Sequence, residues 1–375
     1  MKVPILILGG GLAGLTAAIH LSKMGHSVVV VEKNHYPKHK VCGEYISNEV
    51  VEYFKWLELE NILEESHPIH QFRLELDSKN STEVGLPLGG FGISRYLLDD
   101  LLFQKAKIQN CNFIQDSVID IEFKDNLFTI KLNSGVEIET PIVIGSFGKR
   151  SMIDVQLKRD FIQKKAHWLS VKSHYKGAFP EHLVGLYPFE GGYCGVSKVE
   201  ENKLNICYIV QTDVFKKYKN IQELEEKVLF ENPGLKQIFQ QATTLFEHPL
   251  TISQISFETK KAVENHILMI GDAAGLIHPL CGNGMAMAVH SAKIVSELIH
   301  KMINQNSYSR ENLEKAYQKQ WNTTFKKRMK TGRILSLLLL NPRITKVSLK
   351  IVARFPSLFK YIIKNTHGNL IPKPI

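Results

Sequence analysis

VPILILGGGLAGLTAAIHLSKMGHSVVVVEK, residues 3 to 33, reads as a short all-apolar strand, a glycine turn, an amphipathic helix from about Leu12 to Met24, and a second strand ending at Glu32. Gly9, Gly11 and Gly14 fit G-x-G-x-x-G in the context that gives the pattern physical meaning: a strand before it, a helix after it and an acid about 20 residues on. Gly9 permits the tight turn, Gly11 removes the side chain that would hold a pyrophosphate off the backbone, and Gly14 lets the helix press on the strand. The helix start, with Leu12 and Ala13 in its first turn, offers unpaired N–H groups and partial positive charge to phosphates. Glu32, followed by Lys33, can accept from ribose hydroxyls. The whole unit predicts dinucleotide binding rather than an incidental glycine-rich turn. Its place at the N-terminal end and the choice of Glu favour FAD as a permanent cofactor, although this segment alone leaves a nicotinamide dinucleotide open.

A second stretch, GDAAGLIHPLCGNGMAMAVHSAKIV at 271 to 295, follows a buried strand at Ile267 to Ile270 and leads into a helix from about Gly284 to Lys301. Asp272, next to Gly271, can hydrogen-bond a sugar-alcohol hydroxyl, and the small residues around it let a bound chain lie against backbone. Pro279 forces a turn. Gly282 and Gly284, on either side of Asn283 and followed by Met285, bring bare N–H groups to the helix start. A second helix N-terminus thereby faces something electron-rich. For a flavin that target is the N1–C2=O edge, where negative charge collects on reduction.

These segments, in this order, resemble the FAD-dependent superfamily of para-hydroxybenzoate hydroxylase, flavin-dependent halogenases and geranylgeranyl reductases, with the strongest likeness to the geranylgeranyl reductase group. GDAAGLIHPLCGNGMAMA is similar to the reductases' GD motif, KVCGEYIS (40–47) to their K-x-C-G segment, and GISRYLLDDLLFQKA (92–106) to their Arg-containing helix start. The resemblance covers the chain to about residue 300. It implies that Asp272 holds the ribityl chain, that Pro279 packs beside the isoalloxazine, that Gly282 to Gly284 face the pyrimidine edge, and that Arg95 lies near the phosphates or ribityl. One departure stands out: VIGSFGKRS keeps Gly145 and Gly148 but has Phe147 where the hydroxylases carry the acid of a D-G pair.

The expected fold is α/β: a Rossmann-like FAD-binding domain of glutathione-reductase type, with a β-meander, interleaved with an antiparallel-sheet substrate domain and followed by a helical C-terminal region. The meander runs from Ser117 to Gly145 through turns at KDN and NSG. Alternating or aromatic segments such as HWLSVKSHY, LVGLYPF, GYCGVSKV and LNICYIV supply the roof of a pocket. The segments divide as 1–69, 91–160 and 255–305 for FAD, 70–90 and 161–254 for substrate, and 306–375 for the basic helices.

Composition sets the outer limits. The 375 residues, 44% apolar and 22% charged, suit a globular chain with a substantial core. Five cysteines without CxxC or metal spacing read as free thiols in a reducing cytosol, and no metal site is expected. The start MKVPILIL breaks at three glycines and carries no cleavage site, unlike a signal peptide. Of the net charge of +10, the excess sits at one end: from Lys315 onward there are fourteen Lys or Arg and no acid. Helices broken at Asn341-Pro342 and Phe355-Pro356 carry these charges between apolar positions, which suits peripheral contact with the anionic inner face of a membrane as well as a plain solvated face. Nucleic acid is not expected, since no reader motif is present.

For the chemistry, Cys42, followed by Gly43, is the candidate catalytic residue. The resemblance places it near the flavin's reacting face, where a weak acid could protonate a carbanion or stabilise an adduct; the alternative is a small residue packing on the ring. Glu44 is expected to be an exposed or capping carboxylate, His278 and His290 structural, and Trp168, Tyr187 and Tyr193 part of the sheet. The expected activity is reduction of double bonds in a hydrophobic, isoprenoid- or polyketide-like substrate, with the flavin reduced by NAD(P)H. Monooxygenation is the alternative. A halogenase ranks lower because Trp56, Trp168 and Trp321 form no W-x-W-x-I-P, and a flavin-free lipid escort protein conflicts with the intact glycines.

Overall fold

In the computed structural model, which describes residues 1–77, 80–305, 309–339 and 342–374, the first strand is Ile5–Leu8 and its helix Leu12–Lys23, with Val28–Glu32 as the next strand. Ile5, Leu6 and Ile7 are fully buried, as an all-apolar strand must be when both faces of a parallel sheet are covered. Among the described residues this sheet has six strands, in the order 263–264, 267–269, 142–145, 5–8, 28–32, 112–115. Ile5 pairs in parallel with both Ile142 and Val28, and only the short 263–264 strand runs antiparallel. The N-terminal helix packs between the helices Arg95–Ile108 and Gly284–Asn304. The meander forms a separate three-stranded sheet of Val118–Lys124, Leu127–Leu132 and Glu137–Thr140.

A second, larger sheet lies over this unit. Its path runs 243–244, 168–176, 204–211, 192–198, 183–189, 67–77, 80–92 and 45–47, with 250–255 added beside 168–176. Most pairs are antiparallel, but 183–189 runs parallel to 67–77. The strand Tyr45–Ser47 joins this sheet only three residues after Cys42, so the K-x-C-G segment is the place where the chain passes from one layer to the other.

The long helix Arg310–Leu339 buries one face against the rest of the molecule. Leu313, Tyr317, Trp321, Phe325 and Met329 recur every four residues and are all buried, the spacing that puts side chains on one helical face. Tyr317 Oη donates to the Met269 carbonyl at 2.6 Å, tying this helix to the central sheet. Pro342–Arg354 and Pro356–Thr366 follow. Pro356 at the first helical position accounts for the break at Phe355-Pro356, whereas Asn341 lies outside the described residues. No described helix is long and apolar enough to cross a membrane.

Candidate functional site

The glycine turn is built as tightly as its spacing requires. A Cβ on Gly14 would lie 2.0 Å from the Gly9 carbonyl oxygen, and one on Gly9, at φ +105°, would lie 2.6 Å from the Ser146 carbonyl. Ser146 closes the turn from the neighbouring strand, its hydroxyl donating to the Gly9 carbonyl at 2.5 Å. Gly11 is different: a Cβ there meets nothing closer than Arg95 Nη2 at 3.7 Å and Lys40 Nζ at 3.8 Å. The bare helix start therefore faces two cations. Both are held by Asp99, which accepts from Arg95 at 2.7 and 2.9 Å and from Lys40 at 2.7 Å. Burial pushes the Asp99 carboxyl up, but Arg95 and Lys40 hold it below its ordinary value. Glu32 accepts the Gly10 N–H at 2.8 Å through one oxygen and Asn34 through the other, leaving a lone pair on the first for a ribose hydroxyl. Lys33 beside it is exposed.

The second stretch comes to the same place. Gly271, at φ +58°, is so close to the first helix that an added Cβ would stand 3.0 Å from the Ala13 Cβ. Asp272 is half-buried in a short turn whose backbone is clamped from behind. Lys260 Nζ donates to the Asp272 carbonyl at 2.8 Å and to the Lys149 carbonyl at 2.7 Å. Arg159 donates to the Ala273 carbonyl at 2.9 Å and to Asp154 and Glu264. Burial lowers the Lys260 amine to about 8. Lys260 thereby staples the 145–150 turn to the GD turn. Pro279 opens a 3-10 turn and is exposed, and Gly282, at φ +60°, ends it in the left-handed conformation that favours glycine.

At the mouth of the Gly284–Asn304 helix, the Asn283 side chain turns away from the turn. Its Nδ2 donates to Glu49 at 2.5 Å and its Oδ1 accepts from Arg328 at 3.0 Å, so only its backbone remains for the helix mouth. Glu49 also accepts from Arg328 and from the Gly368 N–H, which fastens the C-terminal tail here. Cys42 is half-buried, its Sγ 3.7 Å from Met285 Sδ at the helix start, with open space at Gly43. The Cys281 thiol is buried toward Gly332, and burial pushes it up to about 12.

Of the two roles expected for Glu44, exposed or capping, the structure gives the second: it is fully buried and accepts the Arg95 N–H at the helix start, while also bonding to Lys172 and His174. His278 is buried and His290 half-buried; burial lowers the first to about 3 and, with the nearby Arg328 and Lys293 charges, the second to about 4. Trp168 and Tyr193 pack against His278, and Tyr187 sits within the core of the second sheet. Asp99, Ser146, Lys172, His174 and Lys260 were not singled out from the sequence, and Lys40 entered only as the first residue of the K-x-C-G segment, without a role. Asp99, four residues after Arg95, carried a readable helical ion-pair signal; Ser146, Lys172, His174 and Lys260 reach the site only through the fold.

These residues fit a bound FAD: a sterically bare helix start faces two fixed cations, an acid stands beside it, and a second glycine turn touches the first. Comparisons with known proteins agree. A family model described as FAD dependent oxidoreductase matches residues 4–78, and one described as Squalene epoxidase matches 211–341. A digeranylgeranylglycerophospholipid reductase of Methanosarcina acetivorans is 24% identical over 337 residues, covering 85% of this chain and 80% of that protein. The squalene monooxygenase of Rattus norvegicus is 23% identical, covering 79% of this chain and 54% of its own length. The solved structure of the flavin-dependent brominase Bmp2 superposes with a TM-score of 0.80 at 17% identity, over 98% of this chain and 93% of that one, a likeness of fold. Glycine turn, GD motif, architecture and relatives converge on an FAD-dependent oxidoreductase, similar in sequence to reductases and monooxygenases and in fold to a flavin-dependent brominase.

Proposed function

We propose that this enzyme reduces double bonds of a hydrophobic, isoprenoid- or polyketide-like small molecule, with its flavin reduced by NADH or NADPH. The observation that carries the reading is Cys42, a half-buried thiol at the crossing between the two layers, beside Met285 at the second helix mouth and open space at Gly43. The digeranylgeranylglycerophospholipid reductase that spans most of the chain supports the substrate class. Bound FAD would supply hydride transfer. The chain's part is to hold that cofactor: Gly9, Gly11, Gly14, Arg95 and Lys40 at the phosphates, Glu32 at the ribose, Asp272 at the ribityl, and the N–H groups of 282–284 at the pyrimidine edge. Cys42 would hold or deliver the proton that a saturated carbon requires, and the second sheet would exclude water.

Oxygen transfer is the second reading, favoured by the squalene epoxidase match over residues 211–341. The two separate after anaerobic reduction with NADPH or NADH. Reoxidation of the flavin band faster by a polyprenyl lipid than by air-saturated buffer is the expected result; the reverse order would favour oxygenation.

A hydrophobic substrate also gives a use to the last two helices. Val347, Ile351, Phe355, Leu358 and Tyr361 are exposed among a surplus of Lys and Arg, a combination that suits an anionic bilayer surface. In flotation, the FAD-loaded protein should rise with phosphatidylglycerol vesicles and not with phosphatidylcholine vesicles, and lose the former at high salt. No retention on the anionic vesicles would remove this surface from the proposal.

A further inference from the structure

Three ionisable side chains lie without solvent contact at the crossing between the layers: Glu44 and Lys172 at 0% side-chain exposure and His174 at 2%. Glu44 Oε1 accepts from Lys172 Nζ at 2.6 Å and from the Arg95 N–H at 2.7 Å, while Oε2 meets His174 Nε2 at 2.7 Å. Burial pushes this carboxyl up, yet the hydrogen bond from His174 and the Lys172 charge hold it below its ordinary value. Such a cluster is an expensive way to hold two layers together, since well-packed apolar residues generally serve stability as well or better. Glu44 also occupies the left-handed region at φ +54°, a strained conformation for a non-glycine residue that persists only where its surroundings enforce it.

The surroundings show what the cluster fixes. Lys172 and His174 alternate on one strand and so share a face. On the adjacent strand Asn205, paired with His174, donates Nδ2 to the Cys42 carbonyl at 3.2 Å. The Glu44 N–H approaches Cys42 Sγ at 3.5 Å. On the other side, the Arg95 N–H opens the helix whose side chain faces Gly11, and a carboxylate is favoured at a helix N-terminus. His39 and Phe246 close over His174. The hydrogen bonds of the Glu44 carboxylate therefore join the Cys42 turn to the second sheet and to the phosphate-side helix.

We propose that Glu44 is a positioning residue: clasped between the second sheet and the first N–H of the Arg95 helix, it sets the turn at Cys42 and Gly43 that presents the thiol to the cofactor, an inference that rests on the cofactor-facing reading of Cys42. The test compares two variants of the FAD-loaded protein, reading Cys42 alkylation by iodoacetamide through peptide mass spectrometry together with the melting temperature. Glu44→Gln keeps the acceptor for the Arg95 N–H but strands the Lys172 charge; it should lower the melting temperature while Cys42 reacts within about twofold of the parent. The double variant Glu44→Ala with Lys172→Met removes both charges and the acceptor. It should melt near the parent, but Cys42 should react about tenfold faster, since reactivity follows access and environment. If Cys42 reactivity is unchanged in both variants, or follows the melting temperature in both, Glu44 is an interface ion pair only and the proposal falls. Full turnover in Cys42→Ser would instead end the chemical reading of the thiol, and leaves this comparison intact.

Discussion

Gly14→Ala yields a protein that purifies colourless, with its affinity for FAD lowered by about a hundredfold, roughly 2.8 kcal/mol at 1.4 kcal/mol per tenfold. The new methyl would sit 2.0 Å from the Gly9 carbonyl oxygen and 2.5 Å from Ser146 Oγ. Neither neighbour can yield cheaply. Gly9 is backbone held at a positive φ, and the Ser146 hydroxyl is committed to the carbonyls of Leu8 and Gly9. The helix must lift off the strand, and its unpaired N–H groups move away from the phosphates they should meet. Gly11→Ala makes the control, because its methyl enters the space before Arg95 and Lys40 at ordinary van der Waals distance, 3.7 and 3.8 Å, without a clash. It should leave the melting temperature of the FAD-free protein unchanged and still weaken FAD, whereas Gly14→Ala lowers both. Titration of the apoprotein with FAD, followed by flavin fluorescence, measures the difference. A yellow Gly14→Ala protein with parental absorbance per chain would contradict this account of the turn.

Arg159→Met should cost about 3–5 kcal/mol of stability, the range for removing one partner of a buried ion pair. The guanidinium is 1% exposed and donates to Asp154 at 2.9 Å, Glu264 at 2.6 Å, and the carbonyls of Ala273 and Lys261. Glu264 keeps Lys261 as a partner, but Asp154 stays fully buried with only the Ser151 donors. The urea midpoint of the FAD-free chain reads the loss. A midpoint within experimental scatter of the parent would show that the network relaxes without cost. Because Arg159 also holds the Ala273 carbonyl, the turn carrying Asp272 loosens too, and saturating FAD should recover part of the loss through binding to the native state alone.

The last two helices show how far charge and periodicity can be read. From sequence, the acid-free stretch after Lys315 looked uniform. Folded, it divides: residues 313 to 329 present a four-residue repeat of buried side chains to the central domain, while Val347, Ile351 and Phe355 remain exposed. Both parts have apolar positions at helical spacing, and periodicity alone does not tell a face that meets protein from one that meets solvent or lipid.

What the sequence determined by itself was local: the strand, glycine turn and helix at the N-terminal end, the acid at Glu32, the GD turn and its helix, and the meander. Each depends on residues within a few positions of one another, on glycine's freedom from a Cβ, or on a hydrophobic period that survives in the linear chain. The tertiary structure decided which distant side chains meet. Glu44 read as an exposed or capping acid, and its burial could not be read because its partners, Lys172 and His174, stand some 130 residues away; Lys260 and Arg159 became clamps of the GD turn, and Glu49 and Arg328 took up the Asn283 amide. Partners for buried charge are chosen by packing of the two layers, and no local pattern records that choice.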